Sequence, residues 1–344
     1  MIRFCNIIFL SLFLLFLHAC KNEKNSSIDT IKDIELEVEP VELNWKYLDL
    51  DLLELRKSSR FKDYTSLQKS HGTFFNLFCK RIINIGEPGS PQFEMYFKEF
   101  LTDPTIKSVF DSVNLIYADR KEFIEPLNDA FTRYKQFFPK NRIPRVETFI
   151  SGFNYGIIAT DSVLGIGLDM FLGKDNKFYS MLSVPKFISY SMGKEYLVSS
   201  AVKGWMTTEF VLDSKSNTLL DEMIYEGKML YVLDALFPET HDSIKIKYSN
   251  FQLEWAKHNE APAWKYLIDQ KLLFNTNHLE KRKIIADAPF TTGMPKESPG
   301  RIGQFLGWQI VRKYMSKKDK IDLMALINET NSQKILNESG YKPK

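Results

Sequence analysis

The hydrophobic period of this chain changes twice along its length, and that change constrains the fold more than any other feature. Up to about residue 138, apolar residues recur at helical spacing. Residues 145–173 are instead rich in β-branched and aromatic residues, with glycine, asparagine and aspartate between them. After about Pro185 the helical spacing returns and continues to the C-terminus. The pattern predicts an α+β fold, predominantly helical, with a small antiparallel or mixed sheet in the middle of the chain.

The elements follow from the same pattern. The sheet segment predicts a strand over residues 146–151 and a hairpin of residues 156–159 and 163–168, turning at Thr160 and Asp161. Helices are predicted from residue 48 onward, over residues 73–83, 94–101, 104–117 and 122–138, and again over residues 195–206 and 219–238. A last long helix is predicted with Ser298 as N-cap and Pro299 at its first position. Its buried stripe is predicted to comprise Ile302, Phe305, Leu306, Ile310, Tyr314 and Met315.

The N-terminus has the layout of an export signal. Arg3 precedes an apolar run at residues 7–17, which is too short for a bilayer span of about 20 residues. The sequence Leu-His-Ala-Cys that ends at Cys20 resembles a bacterial lipobox, which is cut before a cysteine that then receives fatty acyl groups such as palmitate. We therefore predict a signal peptide at 1–19, lipid attachment at Cys20, a polar tether at 20–42 and a single globular domain at 43–344. The alternative is an ordinary signal peptide with a chance cysteine.

Charge and cysteine content narrow the function classes. The full chain has 46 basic and 43 acidic residues, and removal of the signal peptide takes away only Arg3. This near balance gives no sign of a nucleic-acid surface. With Cys5 removed and Cys20 acylated, Cys79 stands alone, so no intramolecular disulfide is expected. Cys79 lies in an apolar helical stretch and is predicted to be a buried small hydrophobe, not a reactive thiol.

Common catalytic motifs are missing from the sequence. The four histidines after the signal peptide show no metal-binding spacing. The chain has no Gly-x-Ser-x-Gly nucleophile elbow and no phosphate-binding loop ending in Gly-Lys-Ser/Thr. Residues 165–170 (GIGLDM) begin like a dinucleotide fingerprint but lack its third glycine. We therefore expect no catalytic residue, no metal and no cofactor.

Two helical stretches carry a more specific pattern. Glu226 and Gly227 lie inside the predicted helix 219–238, where a glycine costs about 1 kcal/mol and indicates close approach of a ligand or another backbone. The order of a strand, a helix and a later helix with Glu-Gly resembles that of the gluzincin zinc peptidases, in which the first helix carries His-Glu-x-x-His and the later glutamate is the third zinc ligand. On that pattern Ser199, Ser200 and Lys203 occupy the places of the two histidine ligands and the general base, and these residue types do not bind zinc.

The gluzincin resemblance implies a degenerate peptidase-like fold with a vestigial cleft at Ser199, Ser200, Lys203 and Glu226. Lys203 could then pair with Glu226, so that an ion pair replaces the metal. The alternative is two ordinary core helices that the glycine allows to pack closely.

Several long stretches resemble the gliding-motility lipoprotein GldB family of Bacteroidetes. They are residues 165–175 (GIGLDMFLGKD), 219–238 (LLDEMIYEGKMLYVLDALFP), 252–264 (QLEWAKHNEAPAW), 287–295 (DAPFTTGMP), 298–315 (SPGRIGQFLGWQIVRKYM) and 341–343 (YKP). The resemblance implies a role in gliding motility, which that group links to a surface adhesin track and its secretion machinery. It implies no catalytic activity and no cofactor, and among functional residues it carries over only the lipid-attachment Cys20.

These observations favour a non-catalytic lipoprotein that supports the gliding and secretion apparatus. Its expected partners are the membrane, through the lipid on Cys20, and proteins of that apparatus, and we expect the domain to face the periplasm. Two alternatives stay open: a zinc-metallopeptidase-like hydrolase, and a pseudo-peptidase that binds peptides in its cleft. Trp255, Trp264 and Trp308 are expected in the core, with an interface role as the alternative.

Overall fold

The computed structural model describes residues 31, 34–213, 215 and 217–343. Its four short strands form one mixed sheet in the order β1-β2-β4-β3. They are β1 (Trp45–Tyr47), β2 (Arg145–Phe149), β3 (Ile157–Ala159) and β4 (Val163–Gly167). β1, β2 and β4 pair in parallel, whereas β3 pairs antiparallel with β4. The central β2 and β4 are almost wholly buried, and β3 is an edge strand.

The segment between β1 and β2 is helical apart from its connections. Its helices are α1 (Leu48–Ser58), α2 (Tyr64–His71), α3 (Thr73–Leu77), α4 (Phe93–Thr102), α5 (Pro104–Ile116) and α6 (Lys121–Phe137). A π-helical turn, Phe78–Ile82, continues α3. Pro104 occupies the first turn of α5, and the Asp103 carboxylate accepts a hydrogen bond from the Ile106 N–H as its cap.

The C-terminal half is helical apart from its connections. Its helices are α7 (Lys177–Met181), α8 (Lys186–Ser189), α9 (Leu197–Glu209), α10 (Leu219–Leu236), α11 (Asp242–Ile246), α12 (Asn250–His258), α13 (Glu260–Asp269), α14 (His278–Ile285), α15 (Ile302–Met315), α16 (Leu323–Asn328) and α17 (Ser332–Ser339). The predicted fold class, α+β with a small mixed sheet in a mostly helical body, is confirmed.

The predicted hairpin is present, and the turn between β3 and β4 falls at Thr160–Asp161 as expected. The sequence pattern did not predict β1, because three residues are too few to show an alternation. β1 exists because it pairs with β2, about 100 residues later in the chain, with Trp45 opposite Val146. Parallel pairing of this kind depends on contacts that a local window does not contain.

One predicted helix start is wrong. α15 begins at Ile302 and not at Pro299, with Arg301 in the left-handed region at its N-cap. The Ser298 hydroxyl instead accepts a hydrogen bond from the Thr291 N–H, and the Thr291 hydroxyl donates to the Pro299 carbonyl. Residues 298–300 are thus held against the preceding loop and cannot form the first helical turn. The predicted buried stripe of α15 is confirmed.

α10 and α15 cross at the centre of the C-terminal half. α10 begins with a capping box between Thr218 and Asp221 and is buried on almost every face. Gly227 lies against Gly307 of α15, so close that a Cβ atom at Gly227 would be 2.3 Å from the Gly307 carbonyl oxygen. The close approach that the mid-helix glycine predicted is therefore made by another backbone.

The end of the predicted tether lies along α6. The backbone N–H groups of Glu37, Val41 and Leu43 donate to side chains of α6, at 3.3, 2.9 and 3.3 Å. The acceptors are Gln136, Thr132 and Asn128, which are spaced four residues apart and so share one helix face. Within the described residues, no helix is both long and apolar enough to cross a bilayer.

Candidate functional site

Lys203 and Glu226 form an ion pair between two neighbouring helices. Lys203 lies on α9 and Glu226 on α10, and Lys203 Nζ is 2.8 Å from Glu226 Oε2. The two side chains are 23% and 20% exposed, so the pair sits at the rim of the packed interior. Lys203 takes a metal-ligand position in the gluzincin pattern, and Glu226 takes the position of the third ligand. The structure thus shows a lysine bound to the carboxylate that the pattern assigns to the metal.

The two serines of the predicted cleft point elsewhere. Ser199 and Ser200 are both buried on α9. Their hydroxyls donate to the same acceptor, the Tyr196 carbonyl, at 3.3 and 2.5 Å. Hydroxyls bonded back to the preceding helical turn are satisfied by the backbone and are not activated by a base. Of the four predicted residues, the structure brings only Lys203 and Glu226 into contact.

Three charged residues that the sequence reasoning missed lie near this pair. Arg301 binds Asp287 at 3.0 Å and donates to the Lys247 carbonyl at 3.1 Å. Lys247 is mostly buried, in the left-handed region at the end of α11. Burial, together with repulsion by the cations Lys203 and Arg301, lowers the pKa of the Lys247 amine to about 8, although Asp287 opposes this shift. The site therefore contains three cations and two carboxylates.

The family-specific stretches converge in this part of the fold. Glu226, Asp287 and Arg301 come from three separate stretches among those that carry the GldB resemblance. A second convergence joins the stretch at residues 252–264 to the C-terminus. There the Tyr341 hydroxyl donates to Glu260 at 2.7 Å, and the Tyr341 ring packs edge-on against Trp264. All of these residues lie in stretches that carry the GldB resemblance, so the sequence marks them as a group. Only the fold shows which of them are in contact.

The edge strand β3 borders the site. α9 packs against it so closely that a Cβ atom at Gly204 would lie 2.4 Å from the Ile157 side chain. The Gly167 N–H donates to Gly156, and the Thr160 N–H donates to Val163. With this antiparallel register the N–H and C=O groups of Ile157 and Ala159 point away from β4. Within the described residues, the side of β3 that faces away from β4 has no strand partner.

A second charged cluster is centred on His71 and joins α1, α2 and β2. The two ring nitrogens of His71 are each 2.8 Å from a carboxylate, Nδ1 from Glu147 and Nε2 from Asp51. Both nitrogens must donate to satisfy these acceptors, so the ring is an imidazolium. Burial alone would lower the pKa of His71, but the hydrogen bonds to Asp51 and Glu147 outweigh it and raise the pKa. Arg145 completes the neutralisation of the buried Glu147.

Nothing in the sequence distinguishes His71 from the other three histidines after the signal peptide. Its partners come from α1 and β2, so only the fold assembles the cluster. Among the described residues, no three His, Cys, Asp or Glu side chains are arranged to hold a metal ion. The predicted lipid-attachment residue, Cys20, lies outside the described residues.

Comparison with known proteins identifies the family. Neither a curated protein nor a solved structure matches the chain. The family model for "Gliding motility protein GldB" matches residues 27–343, which is nearly the whole chain and includes every residue of the Lys203–Glu226 site. The chain therefore belongs to the GldB family of gliding motility lipoproteins.

Proposed function

We propose that this protein is a lipid-anchored, periplasm-facing envelope protein that supports the gliding and secretion machinery without catalysing a reaction. The observation that carries the proposal is the Lys203–Glu226 ion pair. A lysine cation on that carboxylate repels a metal ion from the place where a gluzincin-like site would bind it. The serines beside it are bonded to the backbone and supply no nucleophile.

Anchoring follows from the N-terminal sequence. A multiply acylated Cys20 holds a protein to one leaflet, since each buried methylene contributes about 0.8 kcal/mol. We expect a Cys20→Ala variant to be mislocalised and the cells to stop gliding. Normal gliding and normal membrane fractionation of Cys20→Ala would contradict the anchor.

The non-catalytic role is tested at Glu226. Glu226→Gln keeps the size and the hydrogen-bonding oxygen but removes the charge, so cells carrying it should glide normally. A Glu226→Gln protein that accumulates and folds like the wild type, yet does not support gliding, would count against the proposal. Stoichiometric zinc in the purified wild-type protein would favour the hydrolase alternative instead.

A second candidate function is peptide binding without cleavage, and the free edge of β3 favours it. Extended peptides add to exposed sheet edges through main-chain hydrogen bonds, and the outward-facing groups of Ile157 and Ala159 belong to the strand against which α9, the helix that carries Lys203, packs. A photo-crosslinking residue at Ala159 should capture a defined envelope or secreted protein in intact cells. The same residue at Leu115, which is 81% exposed on α5, is the control and should not capture that protein.

A further inference from the structure

An exposed apolar patch lies on the two short helices α7 and α8. Met181, Leu182 and Ile188 are 69%, 53% and 40% exposed, and all three fall within eight residues of chain. Single exposed apolar residues are ordinary, but a cluster on one short segment indicates a surface that binds something. We call Met181, Leu182 and Ile188 the α7–α8 patch.

Hydrogen bonds and buried side chains fix the segment that carries the patch to the core. Phe178 and Tyr179, which precede the patch on α7, are buried. The Tyr179 hydroxyl donates to the Asp169 carbonyl at 3.0 Å and accepts from the Leu172 N–H at 2.8 Å. The Val184 N–H donates to the Tyr179 carbonyl, and Pro185 is the N-cap of α8. Met181 and Leu182 therefore stand exposed at the end of a helix whose preceding residues, Phe178 and Tyr179, are buried in the core.

Lysines surround the patch. Residues 174–194 contain four lysines and one acidic residue, whereas the whole chain is nearly balanced. Lys174, Lys177 and Lys186 are exposed and make no ion pair within the described part of the chain, while Lys194 pairs with Glu122. A surface depression of about 400 Å³ beside Lys174 is lined by Asn176 and Tyr190, and also by the carboxylates of Asp175 and Glu195.

We propose that the α7–α8 patch docks on the surface of a membrane that contains anionic lipids. Apolar side chains that project between lysines match the layout of a lipid interface, where the chains enter the headgroup boundary and the cations meet phosphates. The inference goes beyond the proposed function and relies on it only for bringing the patch near a bilayer. The 11 residues that follow Cys20, up to the buried Ile31, span at most about 40 Å when extended, which lets the domain lie on the bilayer that holds its anchor.

The test uses the lipidated mature protein in vesicles. Leu182→Cys is labelled with an environment-sensitive fluorophore, which is selective because Cys79 is fully buried. In phosphatidylcholine vesicles with one third phosphatidylglycerol, the probe should shift to the blue and be shielded from acrylamide. In phosphatidylcholine alone the shielding should be weaker. In the anionic vesicles, neutralising Lys174, Lys177 or Lys186 should each reduce the ratio of shielded to exposed probe about fivefold.

The control places the same probe at Leu279→Cys, which is 67% exposed on α14 and should remain open to acrylamide. A probe at Leu182 that stays fully quenched in anionic vesicles overturns the proposal, as does shielding that appears only when a protein partner is added. Failure of the anchor is distinguishable, because the protein would then remain in the aqueous phase. Failure of the patch leaves an anchored protein whose Leu182 probe is in water.

Discussion

Gly227 and Gly307 meet backbone to backbone where α10 crosses α15. A Cβ atom at Gly227 would lie 2.3 Å from the Gly307 carbonyl oxygen, and one at Gly307 would lie 1.8 Å from the Met223 carbonyl oxygen. Neither contact can be relieved by turning a side chain. The closest crossing of the C-terminal half therefore depends on two residues without a side chain.

Replacing either glycine should separate the two helices. We expect Gly227→Ala and Gly307→Ala each to lower the free energy of unfolding by about 1–3 kcal/mol or more, as overpacked cores do. Urea denaturation measures the loss. Gly204→Ala is the matched control, since its Cβ meets only the Ile157 side chain and alanine favours the helix by about 1 kcal/mol. A loss at Gly204 as large as at Gly307 would contradict the account.

The Lys203–Glu226 pair should contribute modestly to stability. A double-mutant cycle of Lys203→Met, Glu226→Leu and the double variant isolates the interaction. Because both side chains are about one fifth exposed, solvent screens the pair, and we expect a coupling free energy of about 1 kcal/mol. The double variant should be more stable than the sum of the single losses predicts. A coupling of zero would mean that the pair does not form in solution.

The buried carboxylate of Asp234 should matter far more. It accepts hydrogen bonds from Arg312, Lys245 and Trp308, all at 2.8–2.9 Å, and is fully buried. Asp234→Asn leaves two buried cations facing a neutral group, which should cost about 3 kcal/mol. Asp242→Asn is the control, because Asp242 also binds Arg312 but is 26% exposed. The loss in urea midpoint should be clearly smaller for Asp242→Asn.

The stability that His71 provides should depend on pH. The pKa of His71 is raised in the folded protein above its ordinary value of 6.5, so its contribution is complete below pH 6.5 and is lost as the pH rises through the folded pKa. The free energy of unfolding of the wild type should therefore exceed that of His71→Gln by more at pH 6 than at pH 9. His258→Gln alters an exposed histidine and is the control variant for the same two measurements. An excess that grows with pH would contradict the imidazolium.

Cys79 should be unreactive until the protein unfolds. Its side chain is fully buried, and burial raises the pKa of the thiol well above its usual range. In the native protein a thiol reagent should modify Cys79 only at the rate of unfolding, and in urea at the rate of a free thiol. Rapid labelling of the native protein would show that the α3 region opens readily.

Much of this fold is local, and the sequence determined those parts. The helical stripe of residues 122–138 and the hairpin at residues 156–168 appear in the structure close to where their periods predict them, because each period records which face of one element is buried. The same holds for Gly227, whose cost inside a helix indicated a close neighbour. The export signal and the acylation of Cys20 also rest on sequence and stay predictions.

The tertiary structure decided what depends on distant pairing. β1 forms only because it pairs with β2. α15 starts later than predicted because Thr291 binds the Pro299 carbonyl. Lys247, Asp287 and Arg301 join the site around Lys203 only in the folded chain. His71 is held as an imidazolium by carboxylates of α1 and β2. The exposure of Met181, Leu182 and Ile188 likewise depends on which parts of the fold cover them. No local period carries this information, because charge, pairing and exposure are properties of contacts between segments far apart in the chain.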